Sequence, residues 1–427
     1  MTIPREDGPK EHGLKKHGPK EHGPKEHGPK EHGPKEHGPK EHGMERFRGI
    51  EGARGWLAWT VVLSHLVVAT GLAAGMPRFW ALAEAGGHAV SVFIIISGFV
   101  ITHLLLSDPQ PYRTYIARRW FRIYPVYAVC LVLGLIVDLI LVHAGPANPW
   151  LDVETTQHYA HQVREISEGR LPLHLLAHLT LLHGVISNGV LDEAQYMFLG
   201  PSWSLSLEWQ FYLVAPLAVA ALRKPGWNIL AVLVIGAGIF AFQHGVFGRF
   251  YTPSILPAAG APFAIGISMR LWIDRLPRIG ALTLAAAILG LTVFAFLVQG
   301  TAYLVGAVIL FGYIQLTPAA LARRGMLVRV LQAGLDSRFA NAAGRRSYAV
   351  YLLHAPVVAV TSYFGYAVLE LGRMPLFLFT AVVAVAITAA GSELLHRLVE
   401  RPGIALGRRL TARRAQALPS AVELSQG

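Results

Sequence analysis

The sequence predicts an all-α protein: a polytopic integral membrane bundle of about ten transmembrane helices. Three observations carry this. The chain of 427 residues is 53% hydrophobic and only 15% charged, with a mean hydropathy of +0.42, whereas soluble domains hold about a quarter charged residues. Apolar runs close to the ~20 residues that cross a hydrocarbon core of ~30 Å as a helix recur along it. Arginine and lysine concentrate in alternate connections between those runs, as the positive-inside bias requires. The formal charge of +12 therefore does not indicate nucleic acid, because the basic residues fall at helix ends and not on one folded face.

The first 43 residues read as a separate tail. Residues 8–43 repeat the pentad GPKEH, with GLKKH at 13–17, and seven histidines recur every five residues from His12 to His42. Proline and glycine in each unit exclude helix or strand, and almost nothing apolar is available to bury, so disorder is expected. Imidazole is the commonest metal ligand, which makes a metal-binding or pH-sensing arm one reading. A solvated repeat without catalytic role is the other, favoured because nothing organises the rings into a fixed coordination geometry. A signal peptide is not expected, since the first apolar run starts only at Gly55.

Ten spans follow, at about 55–75, 86–106, 123–143, 203–222, 227–243, 253–273, 279–298, 302–318, 347–367 and 375–396. The run LPLHLLAHLTLLHGVIS (171–187) is apolar but short and carries three histidines, so it is predicted as an interfacial or re-entrant helix. The organisation is a tail (1–43), a membrane domain (44–405) and a cytoplasmic C-terminal tail (406–427). Connections on one side hold twenty-three arginines and lysines against five on the other. Both termini are thus expected in the cytoplasm of a cell whose inner membrane holds the bundle, with 144–201 external. The single cysteine, Cys130, lies in an apolar run and reads as a small buried hydrophobe.

Burying an ionisable side chain in a bilayer costs at least ~2.5 kcal/mol, so such residues inside the spans are where chemistry is sought. Arg54 and His65 are eleven residues apart in the first span. Eleven residues are close to three turns, so both share a face about 16 Å apart, with Arg54 at the cytoplasmic edge and His65 near the midplane. A structural histidine hydrogen-bonded within the bundle is the plainer alternative. Arg119 and Arg122, in ARRWFRIYP, share a face at the mouth of the third span. Two guanidiniums so placed suit a phosphorylated ligand, and positive-inside anchoring is the competing reading. Pro125, a turn later, is expected to kink the helix. Glu208 sits just inside the fourth span, in PSWSLSLEWQFYLVAP, where a carboxylate should face protein or water and is suited to orient an imidazole or bind a hydroxyl. Ser97 and Gly98, in SVFIIISGFVIT, read first as small residues for close helix packing. Tyr348, Tyr351 and His354, in GRRSYAVYLLHAP, recur at three-residue steps on one side of the ninth span.

RGWLAWTVVLSH, FIIISGF, RRWFRIYP, WSLSLEWQFYLVAP, SYAVYLLHAP and the late ERP (400–402) occur in this order. Together they resemble membrane acyltransferase family three, the bacterial O-antigen, polysaccharide and antibiotic O-acyltransferases, over about residues 47–405. The resemblance implies transfer of an acyl group, commonly acetyl, from a coenzyme A thioester to a hydroxyl of a carbohydrate or other small acceptor. Acyl-coenzyme A would be a co-substrate; no tightly bound cofactor and no metal is expected. By the family pattern His65 is the general base, Arg54, Arg119 and Arg122 serve the donor, and Glu208 is catalytic, with Ser97, Gly98, Tyr348 and His354 in support. Where members often have an aspartate three before the first arginine this chain has Glu51, and the second of two consecutive glutamates is here Trp209. The residues after 405 do not resemble the soluble hydrolase-like domain some members carry, and the acceptor class stays open. A transporter or flippase is the alternative. It predicts two matching halves with interrupted helices, and no such symmetry is visible. A noncatalytic binding or sensory protein is favoured only by the histidine tail.

Overall fold

The computed structural model describes residues 47–143, 148–275, 280–297, 300–315 and 326–416. The GPKEH tail and the last eleven residues lie outside them. All regular structure among the described residues is helical. The helices are α1 (Arg48–Ala69), α2 (Trp80–Ser107), α3 (Tyr112–His143), α4 (Val153–Ser167), α5 (Leu171–Leu179), α6 (Ser202–Arg223) and α7 (Trp227–Gln243). They continue with α8 (Leu256–Trp272), α9 (Ala281–Leu297), α10 (Tyr303–Gln315), α11 (Met326–Leu335), α12 (Arg338–Tyr363), α13 (Arg373–Leu395) and α14 (Arg401–Gln416).

A helix lies at each of the ten predicted spans, but among the described residues six are long and apolar enough to cross a membrane: α1, α2, α3, α6, α12 and α13. The difference is one of length. The helices α7, α8 and α9 have 17 residues each and α10 has 13. At 1.5 Å per residue, 17 residues reach about 26 Å, short of a core of ~30 Å. The 171–187 run forms a nine-residue helix, α5, and a 3₁₀ turn at His183–Val185, too short to cross. The boundary drawn at 405 falls inside α14, which packs against α3. Pro125 lies inside α3, which runs on to His143, and a Cβ on Gly403 would meet its ring.

The helix α1 lies between α2 and α12. Lipid tails are as apolar as leucine, so close packing rather than water exclusion must hold such helices together, and small residues permit it. At the start of α1 a Cβ on Gly55 would sit 2.8 Å from the backbone nitrogen of Gly344 in α12. A Cβ on Gly344 would collide with the carbonyl of Glu51. Ten residues further along each helix, His65 meets His354, so α1 and α12 run parallel and in register. On the other flank Ser64 Oγ donates to the Ala83 carbonyl and Phe47 stacks edge-on against Phe99, so α2 runs antiparallel to α1. Gly98 of α2 faces the Phe263 carbonyl of α8, where a Cβ would sit at 2.5 Å. This glycine serves helix packing, as its size suggested.

Candidate active site

The register of α1 and α12 sets the first element of the site. His65 Nδ1 lies 2.7 Å from His354 Nε2, with ring centroids 4.9 Å apart and planes 23° from parallel. His354 is fully buried, and its Nδ1 lies 3.1 Å from the carbonyl of Val350 one turn back. A carbonyl only accepts, so Nδ1 of His354 carries its proton. The Nε2 of a neutral His354 must then accept, and its partner at 2.7 Å, His65 Nδ1, must donate. The protonation pattern is forced along the chain, and it leaves Nε2 of His65 with a lone pair. That is the state a general base needs.

A second network lies on α6. Glu208 accepts hydrogen bonds from Ser97 Oγ at 2.8 Å and from the Tyr212 hydroxyl at 2.5 Å. Ser97 therefore does more than pack: it holds one oxygen of the carboxylate. The partners of Glu208 are Ser97 and Tyr212, so it orients these rather than His65. One turn earlier, Ser204 Oγ contacts the Tyr351 hydroxyl at 2.7 Å, and that hydroxyl donates to the Pro201 carbonyl at 3.0 Å. The ring of Tyr351 is 6.1 Å from that of His354. Tyr351 thus links His354 on α12, and through it His65, to the start of α6.

The third element is cationic. Arg54, Arg122 and Arg345 line a cavity of about 130 Å³ together with Tyr348, His396 and Glu400. Arg54 is paired with Glu51 at 3.5 Å and His396 with Glu400 at 2.9 Å. The Tyr348 hydroxyl donates to the Ile123 carbonyl at 2.6 Å, which fixes α12 against the helix that carries Arg122. Arg119 is not among the cavity residues. Its Nε is buried without a hydrogen-bond partner, and it lies in the electrostatic reach of Glu208, Tyr212 and Arg122. Arg54 is eleven residues, or about 16 Å of helical rise, from His65. The arrangement thus offers a cationic cavity at one end of α1 and a base of fixed tautomer near the other.

Arg345, His396 and Glu400 in the cavity, and Tyr212 on Glu208, were not singled out from the sequence. Arg345 and Glu400 belong to the motifs GRRSYAV and ERP, but nothing in those strings tells a cavity residue from a membrane anchor. Tyr212 falls four residues after Glu208, a spacing that puts both on one face. That signal was available.

A family model described as an acyltransferase domain matches residues 47–393. The chain is 28% identical over 361 residues to the acyltransferase MdmB of Streptomyces mycarofaciens, covering 76% of this chain and 82% of that protein. It is 24% identical over 406 residues to the O-acetyltransferase OatA of Staphylococcus aureus, covering 83% of this chain and 56% of that protein. The match thus spans little more than half of OatA. No solved structure matches.

Proposed function

This chain belongs to the acyltransferase-domain family, and on that premise we propose that it is a multi-pass membrane O-acyltransferase. Its donor is an acyl-coenzyme A, commonly acetyl-coenzyme A, bound at the arginine cavity. Its acceptor is a hydroxyl of a carbohydrate or of another small molecule; the name of one relative, an O-acetyltransferase, supports an oxygen acceptor. The ten apolar helices cross the inner membrane, the four shorter ones where the bilayer thins to match them, with both termini cytoplasmic and 144–201 external. Helix direction supports counting α8 as a crossing. It begins near the Gly184 loop, where Ser254 Oγ donates to the Gly184 carbonyl, and it runs beside α2 to Arg270, which donates to His103 Nδ1.

The observation that carries the reading is the His65–His354 pair with its free Nε2. In the reaction, Nε2 of His65 takes the proton of the acceptor hydroxyl as that oxygen attacks the thioester carbonyl carbon. The C–S bond of the resulting tetrahedral intermediate breaks, and the departing sulfur takes the proton back from His65. The positive charge that His65 holds between these steps strengthens its Nδ1–H bond to His354. Arg54, Arg122 and Arg345 grip phosphate oxygens of the donor, and guanidinium forks suit that geometry. Arg119, beside Arg122 and within electrostatic reach of Glu208 and Tyr212, helps to position the donor.

The test is thioester consumption by the purified full-length protein in detergent. Free thiol released from acetyl-coenzyme A should track acylated acceptor. His65→Gln, which cannot accept the proton, should lower turnover by ~10²–10⁴-fold while donor binding falls far less. Acceptor translocation without thioester consumption overturns the proposal in favour of a transporter.

A further inference from the structure

Away from the histidine pair, the described residues hold a group of imidazole and carboxylate atoms at metal-ligand spacing. Helix α4 places His158 and His161 three residues apart, on one face, and the loop before α6 brings Asp192 and Glu193 against that face. His161 Nδ1 lies 3.3 Å from Asp192 Oδ2 and 3.6 Å from Glu193 Oε1. A tetrahedral zinc ion with bonds of ~2.0–2.1 Å holds its ligands roughly 3.3–3.4 Å apart, so these atoms already stand near the edges of such a polyhedron.

Their surroundings resemble the outer partners of metal ligands. His158 Nδ1 donates to Glu193 Oε1 at 2.7 Å, and the Tyr251 hydroxyl donates to Asp192 Oδ1 at 3.1 Å. Arg164 holds Asp192 Oδ2 at 2.7 Å but is half exposed, so it can yield that oxygen to an ion. Two carboxylates against one guanidinium leave a net negative charge when the imidazoles are neutral. Glu193 is fully buried, and its second oxygen, Oε2, has no hydrogen-bond partner. A buried acceptor left unmet is costly, and a cation beside the carboxylate relieves that cost. His161 keeps 36% of its side chain exposed, which gives an ion a way in.

We propose that His161, Asp192 and Glu193 bind a Zn²⁺ ion, with water as the fourth ligand, which pins α4 to the loop leading into α6. An imidazole nitrogen with two carboxylates suits zinc, where calcium and magnesium prefer all-oxygen sets. The site does not depend on the reaction assigned to the chain.

Hydrogen exchange of the full-length protein in detergent, with Zn²⁺ or with EDTA, tests this. Zn²⁺ should slow exchange at least about tenfold in peptides 153–167 and 187–199. His161→Gln, at a partly exposed position, and Asp192→Asn should abolish that response while exchange in α1 and α12 stays as in the wild type. Zinc bound by the tail histidines leaves these peptides unaffected, so the readout is specific to the site. Unchanged exchange with Zn²⁺, an undiminished response in both variants, or equal slowing by Mg²⁺ would each overturn the assignment.

Discussion

His354 decides which nitrogen of His65 is the base. Replacing it with leucine removes the acceptor for His65 Nδ1–H and frees the ring to take the other tautomer. Turnover by His354→Leu is expected to drop by roughly 10²–10⁴-fold, the range of a lost general base, with donor binding little changed. His354→Gln should recover part of the loss, because an amide oxygen can accept Nδ1–H; steady-state kinetics of both variants, with KM separated from kcat, check this. At the other end of α1, Arg122→Ala removes one arm of the cavity. Charge-assisted contacts are worth about 1.5–3 kcal/mol, so donor affinity should fall by roughly ten- to a hundredfold, read by equilibrium binding of a non-hydrolysable donor analogue. Unchanged binding would leave Arg122 an anchor. At this scale the sequence was legible where residues share a helix. The spacing of Arg54 and His65 placed them at opposite ends of one face. The His65–His354 contact joins positions 289 residues apart, and no local periodicity reports such a pairing, so His354 read only as a supporting or rival imidazole.

Among the elements, α5 and the turn after it differ most from the reading of the sequence. Three histidines in an apolar run suggested rings at a lipid interface, yet His174, His178 and His183 are all fully buried. The rings of His178 and His183 stack at 3.9 Å. His183 Nε2 donates to the Ser202 carbonyl at 3.1 Å, and His178 Nδ1 lies 3.3 Å from the Tyr127 hydroxyl. His174 Nε2 lies 3.2 Å from Glu165. Burial pushes His183 down to about 4 and His178 well below its ordinary value, the latter helped by the neighbouring rings. Both are therefore neutral in the fold, while the unfolded chain takes up protons below about 6.5. Stability then falls as pH drops through the window from 6.5 to about 4, and at ~1.4 kcal/mol per pH unit His183 alone contributes roughly 3 kcal/mol. Exchange in peptide 171–187 should accelerate as pH falls through this window, after correction for intrinsic rates, while α12 stays protected. A flat profile would show that the rings are solvated. The sequence shows that these histidines exist, but which face of α5 meets protein is decided by α3 and α4.

For the whole molecule, α1 runs parallel to α12 and antiparallel to α2, and the distribution of arginine implies which end of them faces the cytoplasm. Gln157 on α4 and Arg409 on α14 are both exposed, and Cys130, the sole cysteine, is buried. In a Cys130→Ser background, Gln157→Cys is expected to react with an impermeant maleimide on intact cells. Arg409→Cys should react only once the inner face is opened. The reverse pattern would invert the bundle. Composition made the all-helical class and the positions of the apolar helices legible, because hydropathy acts on local sequence; the orientation is what the labelling tests.

The sequence by itself determined that the chain is helical and apolar, where the ten apolar helices lie, and that Arg54, His65, Arg122 and Glu208 are polar positions in or beside apolar spans that need partners. Only the tertiary structure decided what those partners are: His354 for His65, Ser97 and Tyr212 for Glu208, and Arg345 with His396 and Glu400 around the arginine cavity. The reason is physical. Helical periodicity fixes which residues share a face of one helix, whereas the rotation and register of one helix against another come from close packing at places such as Gly55 on Gly344. That contact sets α1 beside α12 so that, ten residues on, two imidazoles meet.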